Sequence, residues 1–269
     1  MRKTVNMDRQ ASSQIQQVRV AESVAAELRH RILRGDFPGG MLPKQEQLKE
    51  EYGISHPSLR EALRILETEG LVSVRRGNVG GAEVQRPGEG RFAYSMGLAL
   101  QSAETKMDSL AASVARLEPL CARMCAEHPE RGTLIVPKLR EILTAASEAA
   151  DGPAFTRTSR LFHHAVVDLC GNRPIQLIVG GLVQLWSVQE ETWAELLHSK
   201  NAYPGGEERS HATKAHKRLV DLIEAGRADE AERVSRKHIV ATQQVVLSQT
   251  EGRSIDASSP RARNALLSL

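Results

Sequence analysis

Residues 55–66 read SHPSLREALRIL, and this stretch decides the fold of the N-terminal part of the chain. Ser55 is a favourable N-cap, and Pro57 suits the first turn of a helix. Apolar residues then recur at helical spacing, at Leu59, Ala62, Leu63 and Leu66. Gly70 is a typical helix stop. The pattern predicts an amphipathic helix whose leading end is polar.

Two further helices and a hairpin surround this segment. Upstream, one apolar face recurs every four positions before Gly35, at Val20, Val24, Leu28 and Ile32. A short helix is predicted between Pro43 and Gly53. Downstream, residues 71–74 and 82–84 predict two strands joined by the basic, glycine-rich turn RRGNVGG at 75–81. Three helices followed by a small hairpin form a winged helix-turn-helix pattern.

The rest of the chain reads almost entirely as helix. The predicted helices cover about 104–128, 134–150, 153–170, 174–198, 208–225 and 228–248. The fold class is therefore mainly α, an N-terminal winged helix-turn-helix followed by an all-α antiparallel helical bundle. The predicted organisation is a flexible tail at 1–17, the winged helix at 18–86, a linker at 87–103, the helical domain at 104–248 and a flexible tail at 249–269.

Composition excludes several classes of protein. The chain has 269 residues, of which 41% are hydrophobic and 26% charged, as expected of a globular protein with a real core. The lack of a long apolar run and of a signal-like start predicts a cytoplasmic protein without membrane contact. Three cysteines in so long a chain argue against a disulfide framework and favour core packing.

Positive charge is concentrated in the N-terminal third. Residues 1–86 contain 14 Lys and Arg against 11 Asp and Glu, which accounts for the whole net charge of +3. This asymmetry suits a nucleic-acid-binding N-terminal domain joined to a neutral C-terminal domain.

The sequence resembles a known family in both halves. Residues 20–84 are similar to the winged helix of GntR-type transcription regulators, most specifically in the loop at 35–42, in 55–63 and in the Glu-Gly-Leu-Val exit at 69–72. The helical half resembles the FCD effector domain of the FadR-like branch, through LEPLCA at 117–122, Phe-His at 162–163, Gly-Asn at 171–172 and the segment 216–238. The resemblance implies a sequence-specific DNA-binding regulator, more often a repressor than an activator, and not an enzyme.

The second helix of such a motif places its leading turn in the major groove. The predicted DNA-contacting residues are Lys44, His56, Ser58, Arg60, Arg64, Arg75, Arg76 and Gly77. The resemblance favours Arg60 as the main contact, and Arg64 is either a phosphate contact or a surface residue. The family usually has arginine where this chain has Glu46 and His56, so the operator should differ from that of relatives. Because one unit reads only a half-site, we expect a homodimer on a pseudo-palindromic double-stranded operator.

The spacing of two histidines predicts that they lie at the same level of a helix pair. His216 lies 10 residues before Gly226 and His238 lies 12 after it, so both sit about 15–18 Å from the turn of an antiparallel helix pair. The resemblance adds His163 and implies a divalent metal, with an aspartate four residues before it. That position is Ser159 here. The trio predicts a zinc, nickel or manganese site, or else a metal-free polar pocket.

The resemblance implies a small organic acid as effector. The predicted effector-binding residues are Ser159, Arg116 and Arg160, although solvated helix arginines are the simpler interpretation. Val114 occupies a position at which the family commonly has an arginine. Two other functions stay open: an architectural DNA-binding dimer without effector, and a helical metalloenzyme. No carboxylate occupies a convincing general-base position, which disfavours the enzyme, and no catalytic residue is predicted.

Overall fold

The computed structural model describes residues 2–75, 81–85, 88–147, 152–203 and 206–267. At 2–17, 75, 147 and 206–208 it describes the backbone alone. The chain forms two compact units, Met1–Pro87 and Gly88–Leu269. None of the described helices combines the length and the apolar character needed to cross a membrane.

The N-terminal unit is a winged helix-turn-helix, which confirms the predicted fold. Its elements are α1 (Arg2–Arg34), α2 (Gln45–Tyr52), α3 (His56–Thr68), β1 (Val72–Arg75) and β2 (Gly81–Val84). The strands pair antiparallel, with Val72 opposite Val84 and Arg75 opposite Gly81. Leucines from all three helices close the core with no exposed surface: Leu28, Leu48, Leu59 and Leu66. Their burial is the main source of stability in this small unit.

The C-terminal unit is a helical bundle, as predicted. Its helices are α4 (Glu89–Ser102), α5 (Met107–Glu127), α6 (Val136–Ser147), α7 (Gly152–Asp168), α8 (Arg173–Ser199), α9 (Gly206–Glu224), α10 (Ala228–Leu247) and α11 (Pro260–Leu267). A π-helical turn, Arg131–Ile135, leads into α6. Helix α10 packs against α5 and α9, and α7 packs against α6 and α8. The three cysteines are buried in this unit and form no disulfide.

The predicted linker at 87–103 is wrong, because residues 89–102 form α4 and pack on α8. The helix buries Gly90, Ala93 and Gly97. A Cβ atom on Gly97 would lie 2.7 Å from side-chain atoms of Ala257 and Leu185. Small residues allow this close approach, and they also weaken the apolar periodicity from which a helix is predicted.

The predicted flexible tails are also corrected. At the C-terminal end, the backbone N–H of Met107 donates to Arg253 O and that of Ile255 to Thr105 O, each over 3.0 Å. Ile255 and Leu266 are buried in the bundle core. These contacts join residues distant in sequence, which a local pattern does not reveal. At the N-terminal end, α1 begins at Arg2 because residues 2–34 contain neither glycine nor proline.

Adjacent leucines in α11 test whether this helix is part of the core. Leu266 has no exposed surface, whereas Leu267 is 37% exposed. We expect Leu266→Ala to lower the free energy of unfolding by about 2–5 kcal/mol, because it leaves a cavity. Leu267→Ala is the matched control and should cost less than about 1 kcal/mol. Denaturant unfolding measures both, and equal small losses would contradict the packing of α11.

Candidate functional site

The leading end of α3 is fixed by a tight turn and a cap. Gly53 adopts φ +61°, the left-handed conformation that ends α2 and that glycine adopts without steric cost. Ser55 Oγ accepts a hydrogen bond from the backbone N–H of Ser58 over 3.3 Å. The chain therefore enters α3 in one defined direction, with the first helical turn at the surface.

One exposed stripe of α3 carries the predicted contacts. His56, Arg60 and Arg64 follow one another at four-residue intervals, so they lie along the same side of the helix. Arg60 is exposed, and the side chain of Arg64 is 78% exposed with Glu61 Oε2 at 4.0 Å. No ion pair of Arg60 is present among the described residues. Contact of these side chains with DNA stays a prediction.

Ser58 is a correction to the predicted contact set. Its side chain is buried, and its Oγ lies 2.9 Å from Ser55 Oγ. The two hydroxyls satisfy each other at the cap, so Ser58 supports the geometry of α3 and is not available to a base.

An acidic side chain beside α3 is neutralised locally. Glu46 Oε2 accepts from Lys49 Nζ over 3.0 Å, and Glu46 Oε1 lies 3.1 Å from His56 Nε2. The Lys49 hydrogen bond, with the charge of His56 nearby, lowers the pKa of the Glu46 carboxyl. Lys49 is not among the residues predicted from the sequence, although its i, i+3 spacing from Glu46 was a usable signal. This pairing reduces the repulsion that Glu46 would exert on a phosphate.

The other predicted contacts lie at the edge of the unit. Lys44 is exposed just before α2, and its backbone N–H donates to Gln47 Oε1 over 3.0 Å. Arg75 ends β1, but its side chain is outside the described part of the chain. Arg76 and Gly77 lie wholly outside the described residues.

In the C-terminal unit, three helices bring the predicted histidines together. His163 on α7, His216 on α9 and His238 on α10 offer nitrogen atoms that all lie within 4.8 Å of one another. The Nε2 atoms of His163 and His216 are 3.3 Å apart. The Phe162 ring stacks on His216 with centroids 4.2 Å apart and shields that imidazole. The Gly226 turn does bring His216 and His238 to one level, as their spacing predicts.

Glu118 on α5 completes the cluster, a role that was not predicted from the sequence. Its Oε1 lies 2.5 Å from His163 Nδ1, and the residue is 3% exposed. A carboxylate on one ring nitrogen fixes the tautomer and leaves the other nitrogen free for a metal. The available signal was the Leu-Glu-Pro motif, whose charged residue falls on the apolar face of α5.

The pKa directions of His216 and His238 favour neutral imidazole, which is the form that binds a metal ion. Burial, with the nearby His238 and His163, lowers the pKa of His216 well below its ordinary value. Burial and His163 lower the pKa of His238 to about 3. Burial opposes the charged form of His163 too, but the charge and hydrogen bond of Glu118 together raise its pKa. His238 Nε2 is buried without a hydrogen-bond partner among the described residues, as expected of an atom that awaits a ligand.

A cavity of about 40 Å³, here called the first chamber, adjoins the cluster at His163. Glu118, Ser159 and Arg160 also line it. Arg160 donates to Ser187 O over 2.5 Å and pairs with Glu191, which holds it at the wall. Val114 lines the same chamber, so the wall is apolar at the position where the resemblance implies an arginine.

Arg116 is a correction to the predicted effector site. It is exposed on α5, and its Nη1 donates to Ala112 O over 3.0 Å on the same helix. Residues 114 and 118 face the chamber, and a helical step of about 100° per residue turns position 116 away from them.

Comparisons with known proteins assign a family model to each of the two units. The family model "Bacterial regulatory proteins, gntR family" matches residues 20–80, and the FCD domain model matches residues 110–241. The chain is 26% identical over 232 residues to the HTH-type transcriptional repressor NanR of Escherichia coli K12 and of Shigella flexneri, covering 82% of each protein. Among solved structures, Streptococcus agalactiae GntR has the same fold, with a TM-score of 0.61 and 19% identity over 84% of this chain and 99% of that chain.

Proposed function

Because the chain belongs to the GntR family of bacterial regulators and carries an FCD domain, we propose that it represses transcription as a homodimer on a pseudo-palindromic operator. It is a DNA-binding transcriptional regulator, and its FCD domain binds a small-molecule effector. The relatives are named transcriptional repressors, which supports repression as the mode of action and a role other than catalysis. The exposed α3 stripe carries the DNA part of the proposal, and the buried histidine cluster carries the effector part.

Sequence-specific binding is assigned to Arg60 with help from its neighbours. A guanidinium at the leading end of a recognition helix can donate two hydrogen bonds to guanine O6 and N7. Arg64, one turn later, and Lys44 are proposed to contact phosphates, which position the helix without reading sequence. Arg75, Arg76 and Gly77 of the hairpin are proposed to contact the backbone or the minor groove.

Two copies are needed because one winged helix reads a short half-site. A dimer doubles the set of base and phosphate contacts and matches the two-fold symmetry of a palindrome. Each copy presents the same α3 stripe, so the half-sites should be inverted repeats.

A divalent metal is proposed at the histidine cluster. His163, His216 and His238 would hold the ion, and Glu118 would orient His163 from behind. The ion would supply a Lewis-acidic anchor for an effector carboxylate at its open positions. Ser159 brings no charge at the position where the family resemblance implies an aspartate, so the proposed site has three histidine ligands. Zinc, nickel and manganese all accept imidazole nitrogen.

Substitution of Arg60 tests the DNA assignment. Arg60→Ala should lower affinity for the specific operator about 10–100-fold, because a bidentate base contact contributes about 1–3 kcal/mol. Arg116→Ala removes the same charge from an exposed position on α5 and serves as the control. Operator fragments selected from random DNA and a gel-shift titration give the affinities. Unchanged binding by a folded Arg60→Ala protein would contradict the assignment.

The metal proposal predicts one Zn²⁺ or Ni²⁺ per chain in metal analysis after dialysis. His216→Ala should abolish this stoichiometry, whereas His211→Ala, an exposed histidine on the same helix, should keep it. Glu118→Gln should weaken binding about 10–100-fold, because it loosens the orientation of His163. Full stoichiometry in a folded His216→Ala protein would refute the site.

Effector binding should be coupled to operator binding. A carboxylate that binds the metal-loaded protein should change operator affinity about 5–150-fold, and operator DNA should change the affinity for that acid by the same factor. Calorimetry with acetate, lactate, succinate and citrate, with and without chelator, provides the measurements. Binding of an acid with no effect on DNA affinity would favour an architectural DNA-binding dimer.

A further inference from the structure

A second cavity opens beside the first chamber. This second chamber has a volume of about 80 Å³ and is bounded by helices α7, α8, α9 and α10. It shares Ser159, Glu190 and Thr242 with the first chamber. The two spaces are therefore neighbouring compartments of one cleft, and His163 of the histidine cluster lines the first of them.

The wall of the second chamber carries two buried hydrogen-bond donors that have no partner among the described residues. Trp193 is 7% exposed, and its Nε1 is buried with no hydrogen bond among the described residues. Arg209 Nε is buried and unpaired in the same way. Leaving a buried donor unsatisfied costs about 1–3 kcal/mol, so two on one wall indicate a missing acceptor.

The charges of the second chamber specify what that acceptor is. Among its described lining residues, Arg209 is the one cation and Glu190, at the junction of the chambers, the one acid. No ion pair joins Arg209 to a described carboxylate. A guanidinium N–H and an indole N–H that line one chamber are donors that suit a carboxylate. Around them the wall is apolar, with Phe155, Val245 and Val246.

The first chamber also contains buried hydrogen-bond donors without partners among the described residues. Gln243 is 5% exposed, and its Nε2 is buried and unpaired, as is Arg160 Nε. Both residues line the first chamber together with His163. Donors without partners thus line both chambers, and the shared residue Glu190 disfavours an anionic group at the junction between them.

We propose that the cleft binds an elongated dicarboxylic acid, with one carboxylate in the first chamber and the other in the second, where Trp193 and Arg209 determine specificity. This inference rests on the proposed organic-acid effector. It adds a second carboxylate-binding position to that site. An acid with a single carboxylate leaves the N–H groups of Trp193 and Arg209 unsatisfied, whereas a diacid of the right length accepts hydrogen bonds from both.

Calorimetry on the full-length, Zn²⁺-supplemented protein tests the proposal with matched acids. Succinate, glutarate and adipate are compared with butyrate, pentanoate and hexanoate, which have the same chain lengths and one carboxylate. At least one diacid should bind about tenfold or more tighter than its matched monoacid, as expected for charge-assisted hydrogen bonds.

Three variants locate the effect. Trp193→Phe removes the indole N–H and keeps an aromatic ring, and Arg209→Met removes the guanidinium and keeps a long side chain. Each should reduce the advantage of the diacid at least threefold while leaving the affinity for the monoacid unchanged. Arg218→Met, at an exposed position on the same helix, is the control and should reproduce the wild type.

Failure of this inference differs from failure of the proposed function. If monoacids bind and no diacid binds better, or if the two variants weaken both acids equally, the second carboxylate-binding position is wrong and the organic-acid site stands. If no acid of either series binds while circular dichroism shows a folded protein, both proposals fall.

Discussion

The buried contact between Glu118 and His163 is the interaction on which the C-terminal site depends. It joins α5 to α7 at a point with almost no solvent access, where an unpaired carboxylate would be costly. By occupying Nδ1, Glu118 turns the other ring nitrogen of His163 toward His216 and His238. The same contact sets one wall of the first chamber. A single carboxylate thus links the packing of the bundle to the proposed chemistry of its cavity.

The two units solve different physical problems. In the winged helix, DNA binding requires a polar face of α3 at the surface. The apolar residues of α3 therefore lie on the opposite, buried face, and Ser55 caps the leading end of the helix. In the helical bundle, function requires polar groups inside, and these are tolerated because most are paired. The donors that remain unpaired, such as Trp193 Nε1 and Gln243 Nε2, are concentrated on the cavity walls.

Much of the fold follows from local patterns. The amphipathic spacing of α3, the Gly53 turn and the paired strands are each signalled by neighbouring residues, and they fold as predicted. Helix α4 was missed because Gly90, Ala93 and Gly97 give little apolar signal, although these small side chains let α4 approach α8 closely. Ser58 was misassigned because a position in the first helical turn does not show which way its hydroxyl faces.

The sequence by itself determined the two-unit organisation, the polar stripe of α3 and the pairing of His216 with His238 across a helical turn. These features depend on helical periodicity and on residues that start or stop helices, which act within a few positions. Only the tertiary structure decided that Glu118 supports His163, that Arg116 faces solvent and that α11 closes the bundle. Such contacts join residues 45 or more positions apart, and side-chain direction at that range is set by how the helices pack.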